Sequence, residues 1–252
     1  MINNDASIVI CTMFRDSIEW YGHKIDQVGK FFHSLATQTN RDFRVVCLEG
    51  DSKDTTYNQL LLHSLNKLHA KEIKLLQSNT NNEFFGSTIR QDRISHLSSL
   101  ANKVLEEAYS YNPEYILWVE SDLIFQSDLI ERLLTSFKQK ENIVGVSPII
   151  LLGGKFYDTW AFRDLPTKRG VTNGGRKKRN WLPSKINQRL PDYIEMESVG
   201  SCCLFRADFK CNFGDGAFPE LCRQLREHGS IYADTTTKIY HPDTKLVEGR
   251  WI

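Results

Sequence analysis

The chain predicts an α/β domain with a mostly parallel sheet flanked by helices, and three observations carry that prediction. Short, continuously apolar runs at residues 7–12 and 115–119 read as strands covered on both faces, the habit of parallel sheets. Stretches with apolar residues at helical spacing lie between such runs, so strand and helix alternate through the first half. A chain of 252 residues, 40% hydrophobic and 25% charged, is long enough to bury one large core, and a single domain is the simplest count.

The 7–12 strand starts the sheet. Ile25, Val28, Phe31, Phe32 and Leu35 then mark a helix over 25–38, and 43–48 follows as a second strand, completing a βαβ unit. Residues 49–56 close that strand with turn formers and short polar side chains suited to capping a helix start. The helical period resumes over 57–68, and a third strand is expected at 71–77. Ile94, Leu97, Leu100, Ala101, Val104, Leu105 and Ala108 give an amphipathic helix over 89–111, which Asn112-Pro113 stops before the Tyr115 strand. Further on, 128–139 reads as helix, 143–148 as strand, 198–205 as an apolar run and 218–228 as a last helix with Gly229 as its C-cap.

The Tyr115 run leads into Glu120 and Asp122, one residue apart where strand gives way to loop. Both can turn toward a ligand beyond the strand's carboxyl end, where open α/β sheets place their sites. A hard divalent cation, Mg²⁺ or Mn²⁺, carrying a diphosphate suits that pair, while solvated loop carboxylates are the plain alternative. The sequence has no GxxxxGK[ST], no GxGxxG after the first strand and no GxSxG, so a diphosphate lacks a glycine cradle. Neutralisation would fall to a metal, to Arg90 and Arg93, and to a basic segment at 165–190. That segment holds Lys168, Arg169, Arg176, Lys177, Lys178, Arg179, Lys185 and Arg189 with no acid among them, leaving the rest of a +1 chain at about −7. Its glycines, Pro183 and lone aromatic Trp181 read as a long loop, either a solvated insertion or a clamp for a polyanion.

No apolar run approaches a membrane span, and the first residues lack the basic start of a secretory signal, so a soluble, cytoplasmic chain is expected. The six cysteines show no zinc spacing and read as buried free thiols of a reducing compartment.

In order and rough spacing, several motifs resemble glycosyltransferases of the GT-A fold: residues 7–12, 49–56, Arg90 to Asn102, and Leu117-Trp-Val-Glu-Ser-Asp122. The combination is most similar to fungal Golgi mannosyltransferases typified by the alpha-1,6-mannan polymerase subunits. Ser147-Pro148, the stretch 156–163, and the closing motifs 199–206, 225–229 and 239–242 extend the resemblance over nearly the whole chain. It implies one GT-A domain over 1–252, with a nucleotide-binding half to 125 and an acceptor half from 126. Its donor would be a nucleotide-diphosphate sugar. Asp122 would be the direct metal ligand, Glu120 a partner at the metal or ribose, and His241 the second protein ligand, although a histidine satisfied at a strand end is an ordinary alternative. Asp51 would meet the base or ribose unless it caps a helix, with Thr12 and Arg15 after the first strand on the donor side. Arg90 and Arg93 would meet phosphate or simply pair with helix neighbours. Two departures stand out. The usual Asp-x-Asp is Glu-Ser-Asp here, and the Golgi enzymes' membrane anchor is missing, which suggests another acceptor and a bacterial or viral setting.

If transfer inverts the sugar, Glu220 or Asp158 would take the acceptor's proton; if it retains configuration, as the resemblance implies, the leaving phosphate would serve. Each acid has a structural alternative, a helix start for Glu220 and a turn for Asp158. Tyr157 and Trp160 would stack on sugar or base, or fill core. Trp160, Arg163, Lys177, Lys178, Arg179 and Trp181 are the acceptor-side candidates. An acceptor suited to the basic segment is a hydroxylated or hydroxymethylated DNA base, extruded for reaction; a surface glycan is the alternative. A nucleic-acid binding module on a degenerate core is the non-catalytic reading. A sugar-nucleotide pyrophosphorylase is disfavoured, because Thr12-Met-Phe-Arg15 stands where its glycine-rich opening would be.

Overall fold

A computed structural model describes residues 7–66, 70–82, 90–158, 160–165, 190–242, 246–247 and 250–251. In chain order its elements are β1 (Ile8–Phe14), β2 (Glu19–Trp20), β3 (His23–Lys24), α1 (Gln27–Ala36), β4 (Phe43–Glu49), α2 (Thr56–Leu65), β5 (Glu72–Gln77), α3 (Gln91–Ser110), β6 (Tyr115–Val119) and α4 (Leu129–Gln139). There follow β7 (Ile143–Leu152), β8 (Lys155–Phe156), β9 (Arg163–Asp164), β10 (Tyr193–Ser198), β11 (Cys202–Arg206), α5 (Phe218–Leu225), β12 (Ser230–Tyr240), β13 (Leu246–Val247) and β14 (Arg250–Trp251).

One sheet runs β5-β4-β1-β6-β11-β7-β12-β10-β9, with β8 paired to β7. The first four strands are mutually parallel. β11 then enters antiparallel between β6 and β7, so the second half is mixed. That insertion places the end of β6, with its acids, in the middle of the sheet and beside the start of β11.

The helices form because their apolar residues share one face. Val28, Phe31, Phe32 and Leu35 of α1 are fully buried, and Phe31 meets Phe14 edge-on at 5.4 Å and Phe125 at 5.9 Å. Each such burial is worth about 1.5–3 kcal/mol. Asp26 caps α1 by accepting the Gly29 amide at 3.1 Å. Across the sheet, α3 buries Ile94, Leu100, Ala101, Val104, Leu105 and Ala108. Trp118 of β6 packs on Phe213 and Phe218.

Three elements depart from the sequence reading. β7 continues past Pro148 to Leu152, because Pro148 sits where β12 bulges between Asp234 and Lys238 and no ladder amide is required of it. That same bulge, where Asp234 accepts bonds from Thr236 and Thr237, hides the eleven-residue β12 from pattern reading. α5 ends at Leu225, so Gly229 is no C-cap; a Cβ there would collide with the Asn142 carbonyl and lie 2.6 Å from Val144 Cγ1. Among the described residues, no helix is long and apolar enough to cross a membrane.

Candidate active site

β6 ends at Val119; Glu120 N–H still donates to the Ser201 carbonyl at 2.8 Å, in register with the Val119–Cys202 pair, and there Ser201, at φ 56°, turns its chain away. The chain turns back, Leu123 N–H donating to the Glu120 carbonyl at 3.2 Å, and Ile124 pairs with Tyr240 in an antiparallel bridge. The bridge brings the end of β12 to the acidic turn. His241, the next residue, sets Nε2 3.1 Å from Asp122 Oδ2, with only 2% of its side chain exposed against 28% for Asp122. The ring of Tyr157 lies over the His241 imidazole at 4.4 Å, tilted by 34°.

Carboxylates crowd this point. Burial, then the charges of Asp122 and Asp158, raise the Glu120 pKa to about 8 against the opposing Ser201 hydrogen bond and Arg93. Burial and the same three acids hold the Tyr157 phenol protonated. Arg93, in the first turn of α3, has its pKa lowered by burial, while Glu120 and Tyr157 pull it back up. Asp158 is buried and accepts from Ala161 N–H at 3.0 Å and Ser201 Oγ at 2.9 Å. Ser201 holds a positive φ of 56°, and neighbouring Gly200 leaves no room for a Cβ, which would lie 2.5 Å from Asp158 Oδ2.

The donor set fits a hard or borderline divalent cation: a carboxylate oxygen and an imidazole nitrogen already converge, inside a patch of excess negative charge. Among the described residues, no group of three or more protein ligands forms. Two protein ligands suit a cation that completes its shell with phosphate and water.

A second cluster lies at the ends of β1, β4 and β5. Asp51, at φ 58°, accepts from Thr80 N–H (2.8 Å), Thr80 Oγ1 (2.6 Å) and Asn81 N–H (2.8 Å). Burial opposes its ionisation, but these bonds together hold its pKa below the ordinary value. Arg15 Nη2 donates to the Asn82 carbonyl at 2.8 Å, and the Asn82 amide meets His96 Nδ1 at 3.2 Å. Burial, chiefly, lowers the His96 pKa. Sequence reasoning passed over His96; its only signal is its place one turn beyond Arg93.

The family profile described as cryptococcal mannosyltransferase 1 matches residues 7–203, most of the chain. The chain belongs to that family. No match appears among curated protein sequences. Solved structures share the fold: S. aureus TarS 1-349 in complex with UDP-GlcNAc, at TM-score 0.59 and 15% identity, over 96% of this chain and 60% of that 1-349 chain. The mannosyltransferase PcManGT from Pyrobaculum calidifontis, in complex with GDP-Man and Mn²⁺, follows at TM-score 0.57 and 10% identity, over 94% of this chain and 57% of that one. GalNAc-T7 with UDP, GalNAc and Mn²⁺ gives 0.54 and 11%, over 96% and 44%. The chain thus spans about three fifths or less of these neighbours' lengths. The family model assigns the chain to that mannosyltransferase family, and the solved structures show that its fold is of the GT-A type.

Within this mannosyltransferase-family chain, Glu120, Asp122, Asp158, His241, Tyr157 and Arg93 come together, and Asp51 and Arg15 form the separate cluster. Thr12 does not reach the surface. It is fully buried in β1, paired with Cys47 and on the same strand face as Phe14, and its Oγ1 has no hydrogen-bond partner among the described residues. The two arginines part company: Arg93 faces Glu120, whereas the exposed Arg90 forks onto Asp92. Glu220 is held by Arg223 (2.7 and 3.0 Å) and by Gln224, contacts that lower its pKa and suit it to a helix start rather than to taking a proton. Tyr157 stacks on His241 rather than standing open to a sugar, and Arg163 lies 5.6 Å over the Trp160 ring. Lys177, Lys178, Arg179 and Trp181 lie outside the described residues.

Proposed function

We propose that this protein transfers a sugar from a nucleoside-diphosphate sugar to a hydroxyl acceptor, using a divalent cation held by Asp122 and His241. The observation that carries this reading is the 3.1 Å approach of His241 Nε2 to Asp122 Oδ2 at the end of the central strand. The ligands in the neighbours' structures, UDP-GlcNAc and GDP-Man with Mn²⁺, support it. Bound there, Mn²⁺ or Mg²⁺ would act as a Lewis acid toward the charge that grows on the departing diphosphate.

The chain's own groups divide the remaining work. Asp51, with the 80–82 turn it binds, forms the platform for the nucleoside. Arg93 offsets negative charge beside Glu120. Glu120, fixed at its backbone by the Ser201 carbonyl, would serve either the metal or the ribose. Glu220 is tied to Arg223, and Asp158 already accepts two hydrogen bonds, so neither is set up as a base. That favours retention, with the leaving phosphate taking the acceptor's proton.

The acid-free 165–190 segment supports an anionic acceptor, and a hydroxylated or hydroxymethylated DNA base is the concrete candidate. The six free, buried cysteines suit a reducing, cytoplasmic setting. The test is a panel of nucleotide sugars with Mn²⁺, read as nucleoside-diphosphate release by the native chain and by Asp122→Asn. Metal-dependent release from one donor, lost in the variant, supports the reading. No release from any donor and no Mn²⁺ binding would overturn it. Steep loss of transfer to DNA with added salt supports the polyanion acceptor, and indifference removes it.

A further inference from the structure

A metal-binding histidine is usually oriented by a hydrogen bond from its second ring nitrogen to a carboxylate or carbonyl. His241 departs from that arrangement. Its Nδ1 is buried and has no hydrogen-bond partner among the described residues, although Nε2 is aimed at Asp122. What lies against the imidazole is the Tyr157 ring, 4.4 Å away and inclined by 34°.

The backbone makes that contact a built one. Tyr157 N–H donates to the Ile150 carbonyl and His241 N–H to the Leu151 carbonyl, both at 2.9 Å, so adjacent residues of β7 register the two rings. Neither segment can slide along β7 without breaking its own bond. At 34° the rings are nearer parallel than perpendicular, so the face of Tyr157 with its π density lies toward the imidazole, a contact that strengthens as the imidazole gains positive character on a cation.

We infer that Tyr157 is the positioning residue of the metal centre, its aromatic ring holding His241 in the rotamer that presents Nε2 beside Asp122, in place of a hydrogen bond at Nδ1. This rests on the proposed metal role of His241. The ring rather than the hydroxyl does the work, so Tyr157→Phe retains the function and Tyr157→Leu loses it.

The experiment is a Mn²⁺ titration of the full chain, with free Mn²⁺ followed by its paramagnetic resonance, on the native protein, Asp122→Asn, Tyr157→Phe and Tyr157→Leu. Native binding lost in Asp122→Asn upholds the metal centre. Tyr157→Phe within about twofold of native, with Tyr157→Leu weaker by about 3- to 10-fold at an unchanged unfolding midpoint, supports the inference. Equal binding by native and Tyr157→Leu overturns the inference and leaves the metal centre standing; no Asp122-dependent binding by the native chain overturns the metal centre itself. Should Tyr157→Leu fail to fold, the native protein decides. Its His241 ring protons must show upfield ring-current shifts that persist in Tyr157→Phe, and ordinary shifts overturn the inference.

Discussion

His241 Nε2 lies 3.1 Å from Asp122 Oδ2 across 119 residues of chain. The contact exists because β6 and β12, far apart in sequence, send their ends to the same place, where the Ile124–Tyr240 bridge ties them. Replacing either partner should therefore disable the centre without unfolding the sheet. Asp122→Asn and His241→Gln are each expected to weaken Mn²⁺ binding by about 10-fold or more, with thermal unfolding little changed. Calorimetric titration with Mn²⁺ checks this, and native-like affinity in both variants would remove the assignment.

The two arginines of α3 should behave differently. Arg93→Ala takes away the cation beside Glu120 and is expected to slow donor turnover by about 10-fold or more. Arg90→Ala removes an exposed pair with Asp92 and should leave turnover and the unfolding midpoint as they are. Side-by-side kinetics on the two variants are the measurement, and equal losses would refute the distinction.

Gly200 is where the acidic site meets its scaffold. A Cβ at this position would overlap Ala161 Cβ and press on Asp158 Oδ2, the acceptor of the Ser201 hydroxyl, while the Ser201 carbonyl holds Glu120. Gly200→Ala is expected to cost about 1–3 kcal/mol in urea unfolding and to lower turnover as well. Native-like stability would show that the turn yields easily.

Acid should act through Asp54. Burial disfavours its charge, but hydrogen bonds from Thr56 and from the Glu19 and Ile18 amides outweigh that and lower its pKa. A lowered folded pKa means that the stabilisation is complete above the ordinary carboxylate value, about 3.9, and drains away as pH falls through the folded value. Asp54→Asn should thus be less stable than native by about 1 kcal/mol between pH 5 and 8, the half-exposed site discounting the effect. The difference should shrink below pH 4. Denaturant midpoints across that range check the sign, and a gap that widens in acid would contradict it.

Much of the first half of the chain was legible because local signals there agree with one another. The apolar run of β1 and the 3.6-residue period of α1 and α3 each needed only local residues to declare themselves. The depth of Thr12 was not legible, because depth is set by helices packed from elsewhere. β12 went unread because its Asp-Thr-Thr-Thr bulge interrupts the strand pattern, and Asp234 satisfies it only in the folded chain. Glu220 drew attention as an acid near a helix start, and only the Arg223 fork shows why it is there.

By itself, the sequence determined an alternating α/β fold and the acidic turn after its central strand, and it offered a late histidine as a candidate ligand. Those follow from the periodicity of burial and from residue chemistry, which neighbours in the chain settle among themselves. Tertiary structure alone decided that β11 runs antiparallel beside β6, that the Ser201 carbonyl holds the Glu120 amide, and that Tyr157 lies on His241. Each is a contact between residues tens of positions apart, and such contacts depend on the register of the whole sheet, which no local pattern specifies.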